Sequence, residues 1–536
     1  MKNVNPLTRM DYPDPDVIRV DDTYYLISTT MYYMPGGVIL RSYDLAHWEI
    51  AAYLFDELDG TPAERLEDGQ NSYGKGMWAA SLRYHEGRFY AAFVSHGQED
   101  THLFTAESIE GPWEHRKIRG YFHDCSLYFE EDGRVFLVSG NTEIRLTELA
   151  PDLSGPKEGG VDTVIVRDDR EEVFLGYEGS HLYKIRGRYY LTLIHWPKDK
   201  ARRTEAIFSA ESVAGPYEGG DVFWDDGGYC GQGIAQGGLV DTPDGRWFAV
   251  LFRDSGAIGR IPVLVPVTWE GDRPVFGVDG RLPEDIEIVS TRPRHVYEPL
   301  FVSDRFLPRN TEEVTPENPA GTLRKSKTRQ LLSPQWQWNH VPDDALWVIL
   351  PEGGLRITTG AVSANLTQAR NTLTQRMCYP QCEAEVTVAF AGLKDGDRAG
   401  LAAMQGCYAA ICVANEGGRR YLEVVRRVEP TKGFAIGSSD SEPGTVTYRE
   451  ELPAGEASAE TAGKVTLGIA ADFTNMKDTI TFFVREGGRR RAVGGEHRLY
   501  FRLDHFTGAR FGLCVWSEKE AGGSACFTDF QYRSTV

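Results

Sequence analysis

Cysteine is scarce in this chain: eight in 536 residues. At positions 125, 230, 378, 382, 407, 412, 514 and 526 they are too scattered for a disulfide framework, so reduced thiols and a cytoplasmic location are expected. Cys378 and Cys382 lack a second Cys/His pair at zinc-like spacing, which argues against structural zinc. Long apolar runs are missing as well. No stretch approaches the roughly 20 residues that span a bilayer, and the opening MKNVNPLTRMDYPDPD has no apolar stretch of signal-peptide type. Positive charge is in deficit, with 58 Lys+Arg against 78 Asp+Glu and a net charge of −20. That excess repels phosphate backbones and anionic headgroups, so neither nucleic acid nor a membrane surface is the expected partner. A neutral substrate fits better.

What the chain does have is apolar content, 41% of residues, and aromatics, 11%. Both mark a globular protein of more than one domain. One phrase recurs five times, a tight turn followed by an aromatic-rich alternating strand. The copies are DDTYYLIST from Asp21, EGRFYAAFV from Glu86, DGRVFLVSG from Asp132, RGRYYLTLI from Arg186 and DGRWFAVLF from Asp244. Another short strand precedes each (DVIRV, SLRYH, SLYFE, HLYKI and GGLVD). Five hairpins at intervals of about 45 to 65 residues match the four-stranded blades of a β-propeller. The outer blade repeats too, in FTAESIEGPWE at 104–114 and FSAESVAGPYE at 208–218.

The hairpins stop near Ile286, and STRPRHVYEP begins a segment of different character. Beyond it, alternating strands such as CEAEVTVAF, AAICVAN, DTITFFVRE and ARFGLCVWS are separated by Gly-rich turns. The expectation is an all-β chain: a five-bladed propeller over 1–286, a linker over 287–300 and a β-sandwich over 301–536.

In a propeller the innermost strands begin near a common axis, so equivalent early positions converge. The residues eight places before the turn positions 22, 86, 132, 186 and 244 are Asp14, Trp78, Asp124, Glu178 and Gln236. Three are acids, although acids make up only 78 of 536 residues. Carboxyls crowded in a funnel repel one another, and burial disfavours ionisation, so one keeps its proton near neutrality beside another that stays charged. Such a pair is what glycoside hydrolysis needs, one group protonating the leaving oxygen and the other activating water or attacking the sugar. Trp78 would offer the sugar a flat face; plugging the second blade is its structural alternative. Asp14 before Pro15 could instead serve a turn.

These residues carry a resemblance. NPLTRMDYPDPDVIRVDDTYYLISTT, GMWAASLRYHEGRFY, HDCSLYFEEDGRVFLV, YEGSHLYKIRGRYYL and QGGLVDTPDGRWFAVLF resemble successive blades of glycoside hydrolase family 43. LLSPQWQWNHVPDD, GGLRITTG and ARNTLTQR resemble the concanavalin-like C-terminal sandwich of its β-xylosidase branch. The resemblance implies an exo-acting, inverting hydrolase that releases terminal xylose, α-L-arabinofuranose or both from xylo-oligosaccharides or arabinoxylan fragments. It implies Asp14 as general base, Glu178 as general acid and Asp124 as the acid that tunes and orients the donor. It places Arg260, in AIGRIPV, on substrate hydroxyls and the acids, and Trp78, Met31 and Tyr33 in the sugar pocket. It also suggests that a sandwich loop closes the funnel and that the chain forms a homo-oligomer.

The chain departs from the family in three places. Asp16 follows Pro15 where Ser is common, adding a charge near the base, and Cys125 replaces Pro after Asp124. Gln236 stands where many members carry a histidine that holds an axial ion or water. An amide is a poorer metal ligand than imidazole, so no metal or other cofactor is expected for catalysis, and a structural calcium is not predicted. The rival readings are a retaining fructosidase-type propeller and a non-catalytic carbohydrate-binding one.

Overall fold

The computed structural model describes residues 4–170, 173–309, 326–427, 442–452 and 463–535. Five four-stranded antiparallel sheets succeed one another between Asp16 and Phe276, each with its strands in chain order. Their first strands are Asp16–Val20, Gly76–His85, Ser126–Phe129, Val173–Ile185 and Ile234–Asp241. Each first strand touches those of both neighbouring blades, and the fifth touches the first, so the five close a ring about one axis. The recurring phrase forms the first hairpin of each blade. In blades two and four its turns, Glu86-Gly87 and Arg186-Gly187, take positive φ at both residues (47° and 80°; 52° and 82°), the conformation that matches strand twist across a two-residue loop.

The ring is fastened by the residues ahead of blade one. Leu7 N–H donates to Pro262 O at 2.9 Å, and the Asn5 side chain exchanges hydrogen bonds with the backbone of Leu264. Between blades the faces are apolar. Phe55, Phe93 and Phe104 stack at centroid distances of 5.6–5.8 Å between blades one and two. Each buried ring of this kind contributes about 1.5–3 kcal/mol.

Among the described residues the second unit is built on an eight-stranded sheet, one strand of which comes from the propeller, packed on a seven-stranded one. Leu401, Ile411, Val413, Leu422 and Leu513 of the first and Val386, Val388, Leu467, Ile469 and Phe482 of the second alternate inward to form its core. The stretch 287–300 has no strand and lies on blade one, where Thr291 N–H donates to Tyr43 O and Tyr43 N–H to the Tyr297 hydroxyl.

The two units are interleaved rather than merely tethered. Tyr33–Met34, from a blade-one loop, is the edge strand of the eight-stranded sheet and pairs with Trp338–Asn339. Arg376 Nε donates to Asp11 O at 2.8 Å, and Arg510 lies 3.6 Å above the Tyr33 ring. Tyr12, Val17 and Leu26 share one buried apolar cluster with Trp336, Trp338 and Leu373.

Candidate active site

Irregular backbone at the start of each inner strand aims the side chains at the axis. Asp14, Asp124 and Gln236 have φ of 51°, 46° and 55°, a left-handed conformation that costs a non-glycine residue about 1–3 kcal/mol. In blade four the register shifts on both sides of Glu178, and Gly179 takes φ 66°. Side-chain space there is also closed, because a Cβ on Gly179 would lie 2.8 Å from the Gln236 side chain. In blade two the shift falls between Met77 and Ala80, around Trp78. Bulges of this kind re-aim a side chain without ending the strand.

Asp14 is buried between two partners. Arg260 Nη1 lies 2.6 Å from its Oδ1, and Thr29 Oγ1 donates to its Oδ2 at 2.8 Å. Burial raises its pKa, opposed by the Arg260 cation and the Thr29 hydrogen bond. Glu178 has different company. His123 Nε2 lies 3.2 Å and Asn141 Nδ2 2.5 Å from the same oxygen, Oε2. His123 Nε2 is also 3.8 Å from Asp124 Oδ1, and the Asp124 charge, helped by Glu178, lifts the imidazole pKa to about 9. Asp124 is pushed up to about 7, chiefly by burial, with Glu178 and Asp14 adding to the rise and His123 opposing it. The Asp124 carboxyl and the His123 imidazole thus set each other's proton affinity.

Gln236 Nε2 donates to Asp124 Oδ2 at 3.3 Å, so its amide presents a donor to the axis, a poor fit to a cation. Among the described residues, His123, Asp124 and Glu178 offer one ligand atom each within 4.8 Å of one another, a spacing a cation could bridge. In this arrangement the imidazole itself supplies the positive charge. The extra acid of blade one, Asp16, does not enter the site. It is fully buried against Arg83 Nη1 at 2.6 Å and His181 Nδ1 at 3.2 Å, which outweigh burial and hold its pKa below the ordinary range. Arg83 Nη2 continues to Ser126 Oγ at 2.8 Å, so four blades are joined along the axis.

The acids open into a cavity of about 640 Å³, lined also by Trp78, Met31, Arg260 and Gln236. Trp78 stacks on His96 at 5.0 Å and 23°. Met31 is buried yet reaches the cavity wall, its backbone bridged to Met77. Tyr33 is the exception among the expected pocket residues. Strand pairing with Trp338–Asn339 and the stacked Arg510 draw it into the contact between the two units, and it does not line the cavity.

Sequence reasoning missed His123, Asn141, Arg203, Phe174 and Trp196, all in the cavity wall, and Leu503 and Phe506 from the sandwich. Of these only His123 carried a signal, as a titratable neighbour of a candidate acid. Phe506 covers the Arg260 guanidinium at 4.4 Å from its ring centre, so a sandwich loop completes the cavity beside the Asp14–Arg260 pair.

A family profile described as glycosyl hydrolases family 43 matches residues 4–274, half of the chain and all three acids. The chain belongs to glycoside hydrolase family 43. It is therefore a glycoside hydrolase. A second profile, the β-xylosidase C-terminal concanavalin A-like domain, matches residues 328–533. A β-xylosidase of Formosa agariphila is 25% identical over 97% of this chain and 88% of its own length. A non-reducing end α-L-arabinofuranosidase of Bacteroides ovatus is 26% identical over 74% of this chain and 72% of its own. Among solved structures, a bifunctional GH43-CE protein of Bacteroides eggerthii superposes with a TM-score of 0.88 at 37% identity. All of this chain is covered there, and it spans 64% of that longer chain. A GH43 enzyme engineered to display both endo-xylanase and exo-arabinofuranosidase activity superposes with a TM-score of 0.83 at 27% identity, each chain covered to 99%.

Proposed function

We propose that this hydrolase removes terminal xylose, terminal α-L-arabinofuranose or both from short xylan-derived oligosaccharides, with inversion at the anomeric carbon. The observation that carries the reading is the separation of partners around the two principal acids. Asp14 is paired with a guanidinium and a hydroxyl, an environment suited to a carboxylate that takes a proton from water. Glu178 sits against the His123 imidazole, itself 3.8 Å from Asp124, and is less enclosed than Asp14, an environment suited to a group that meets a leaving oxygen. In the proposed reaction water attacks the anomeric carbon as Asp14 accepts its proton, and the glycosidic oxygen departs with the proton of Glu178. Asp124, next to His123 and within reach of Glu178, orients the donor.

The named activities of the relatives, β-xylosidase and arabinofuranosidase, support the substrate class. A cavity of about 640 Å³ suits a ligand of one or two sugar rings. A cytoplasmic site of action fits the eight unpaired cysteines. One observation favours the rival, retaining course: Asp124 and Glu178 bring oxygens within 4.8 Å, near the spacing of a nucleophile and acid. Proton NMR of xylobiose cleavage decides between them, because inversion releases α-xylose first. Initial β-xylose would make one carboxylate a nucleophile and end the assignment of Asp14 as base.

A further inference from the structure

Arg260 follows a short turn, Gly256–Gly259, that the propeller does not hold alone. Asp478 of the sandwich accepts the Ala257 N–H at 3.1 Å. Ala257 O accepts from Ala509 N–H at 3.0 Å and from Gln405 Nε2 at 2.8 Å, and the same Gln405 amide reaches Thr507 O at 3.2 Å. Three hydrogen bonds from the second unit thus fix one residue of this turn. Asp11 completes the arrangement. Buried at 5% exposure, it accepts the Arg260 N–H on Oδ1 and the Gly508 N–H on Oδ2, both at 2.8 Å.

The packing leaves no slack around Asp11. A Cβ on Gly259 would lie 2.3 Å from Asp11 Oδ1, and one on Gly508 would lie 2.2 Å from Ile258 O. One carboxyl group therefore ties the residue that grips the base to the loop that carries Phe506 and Leu503 into the cavity. Arg260 is set from two sides, by Asp11 on its backbone and by the Phe506 ring on its guanidinium.

We propose that Asp11 is a positioning residue for the reaction, the clasp through which the sandwich fixes Arg260 against Asp14. The inference rests on the roles given above to Asp14 and Arg260. It assigns the sandwich a task in catalysis that needs no sugar-binding surface of its own. An acid is required because two backbone N–H groups must both be accepted; an asparagine has only one accepting atom and turns its NH₂ toward the other N–H.

The test is a double-mutant cycle on the full chain with 4-nitrophenyl β-D-xyloside and α-L-arabinofuranoside, using whichever is cleaved faster. Asp11→Asn is expected to lower kcat/KM by about 30-fold in the wild-type background and by less than about threefold on top of Arg260→Ala, because both changes disable one unit. Should Asp11→Asn fail to fold, Asp11→Ser enters the same cycle. As a control, Asp56→Asn breaks a pair between the units with Arg329 Nε, at 2.7 Å and away from the cavity, and leaves kcat/KM unchanged. Equal losses from the Asp11 change in both backgrounds, or a lowered Tm with unchanged kcat/KM, would overturn the clasp while leaving the reading of the site intact. A loss below threefold for Arg260→Ala alone would overturn the role of Arg260 and the clasp with it.

Discussion

Asp14 and Glu178 face the same cavity from blades one and four, and the surrounding chain treats them in opposite ways. Asp14 is 6% exposed and pinned by a buried guanidinium and a hydroxyl. The Glu178 side chain is 15% exposed, and its partners are an imidazole and an amide from blade three. A group that must stay charged gains from a guanidinium partner. A group that must give a proton and recover it every turnover gains from titrating neighbours and a path to water. The contrast is one of rigidity against exchange. It can be broken experimentally at either end.

The largest effect is expected at the rigid end. Asp14→Ala should reduce kcat by about 10³-fold on xylobiose and on an aryl xyloside alike, because water must be activated whatever the leaving group. A loss that differed more than tenfold between the two substrates would contradict the base assignment. Glu178→Ala should cost about 10²- to 10³-fold on xylobiose but under about tenfold on aryl glycosides with acidic phenols, which depart without a proton. Equal losses would remove Glu178 from the donor role.

A smaller change tests the exchange itself. His123 lies against both acids, and its cation lowers the proton affinity of Asp124. In His123→Asn that cation is gone, so Asp124 should hold its proton to higher pH than about 7. The basic limb of kcat/KM should then move upward by about one pH unit, with roughly a tenfold loss at the optimum. Stability gives an independent sign. The imidazole pKa is raised to about 9 on folding, so its contribution is complete below its ordinary value near 6.5 and is lost as pH rises through 9. Thermal melts should lose that dependence in the variant, and a wild-type Tm flat across this window would contradict it.

The same contrast explains how much could be read from the sequence. Asp14, Trp78, Asp124, Glu178 and Gln236 were legible because blades repeat and each inner strand reaches the axis at the same count. The five hairpins and the alternating strands of the sandwich were legible for the same reason, since periodicity survives in one dimension. The partners were not. Phe174 and Arg203 lie outside the recurring phrases and Asn141 directly after one, so no count to the axis picks them out. Asp11 and Phe506 work across a contact between residues 497 apart in the chain, and nothing local records that pairing. Tyr33 was misplaced because its position in the pocket was carried over from the family resemblance alone. The strand it forms with Trp338–Asn339 depends on a unit three hundred residues away.

The smallest expected effect sharpens the contrast at the mouth of the acid side. Phe174 is 64% exposed, four residues before Glu178 on the same strand, and stands edge-on to Trp196 at 5.7 Å. An aromatic left in water at a cavity rim suits the apolar face of a sugar, and with Glu178 as the proposed donor in the same cavity wall that sugar would be on the leaving side. Phe174→Ala should therefore raise KM for xylobiose about threefold and leave kcat within about twofold, since the ring would meet the departing unit rather than the reacting carbon. Xylose as a competitive inhibitor should bind as before, because a single ring filling the deep end near Asp14 and Arg260 does not reach the rim. Folding should change by less than about 0.5 kcal/mol, as expected for an exposed side chain. If xylose binding weakened as much as xylobiose binding, Phe174 would be shaping the deep end, and the division of the funnel into a rigid base side and an open acid side would fail at its rim.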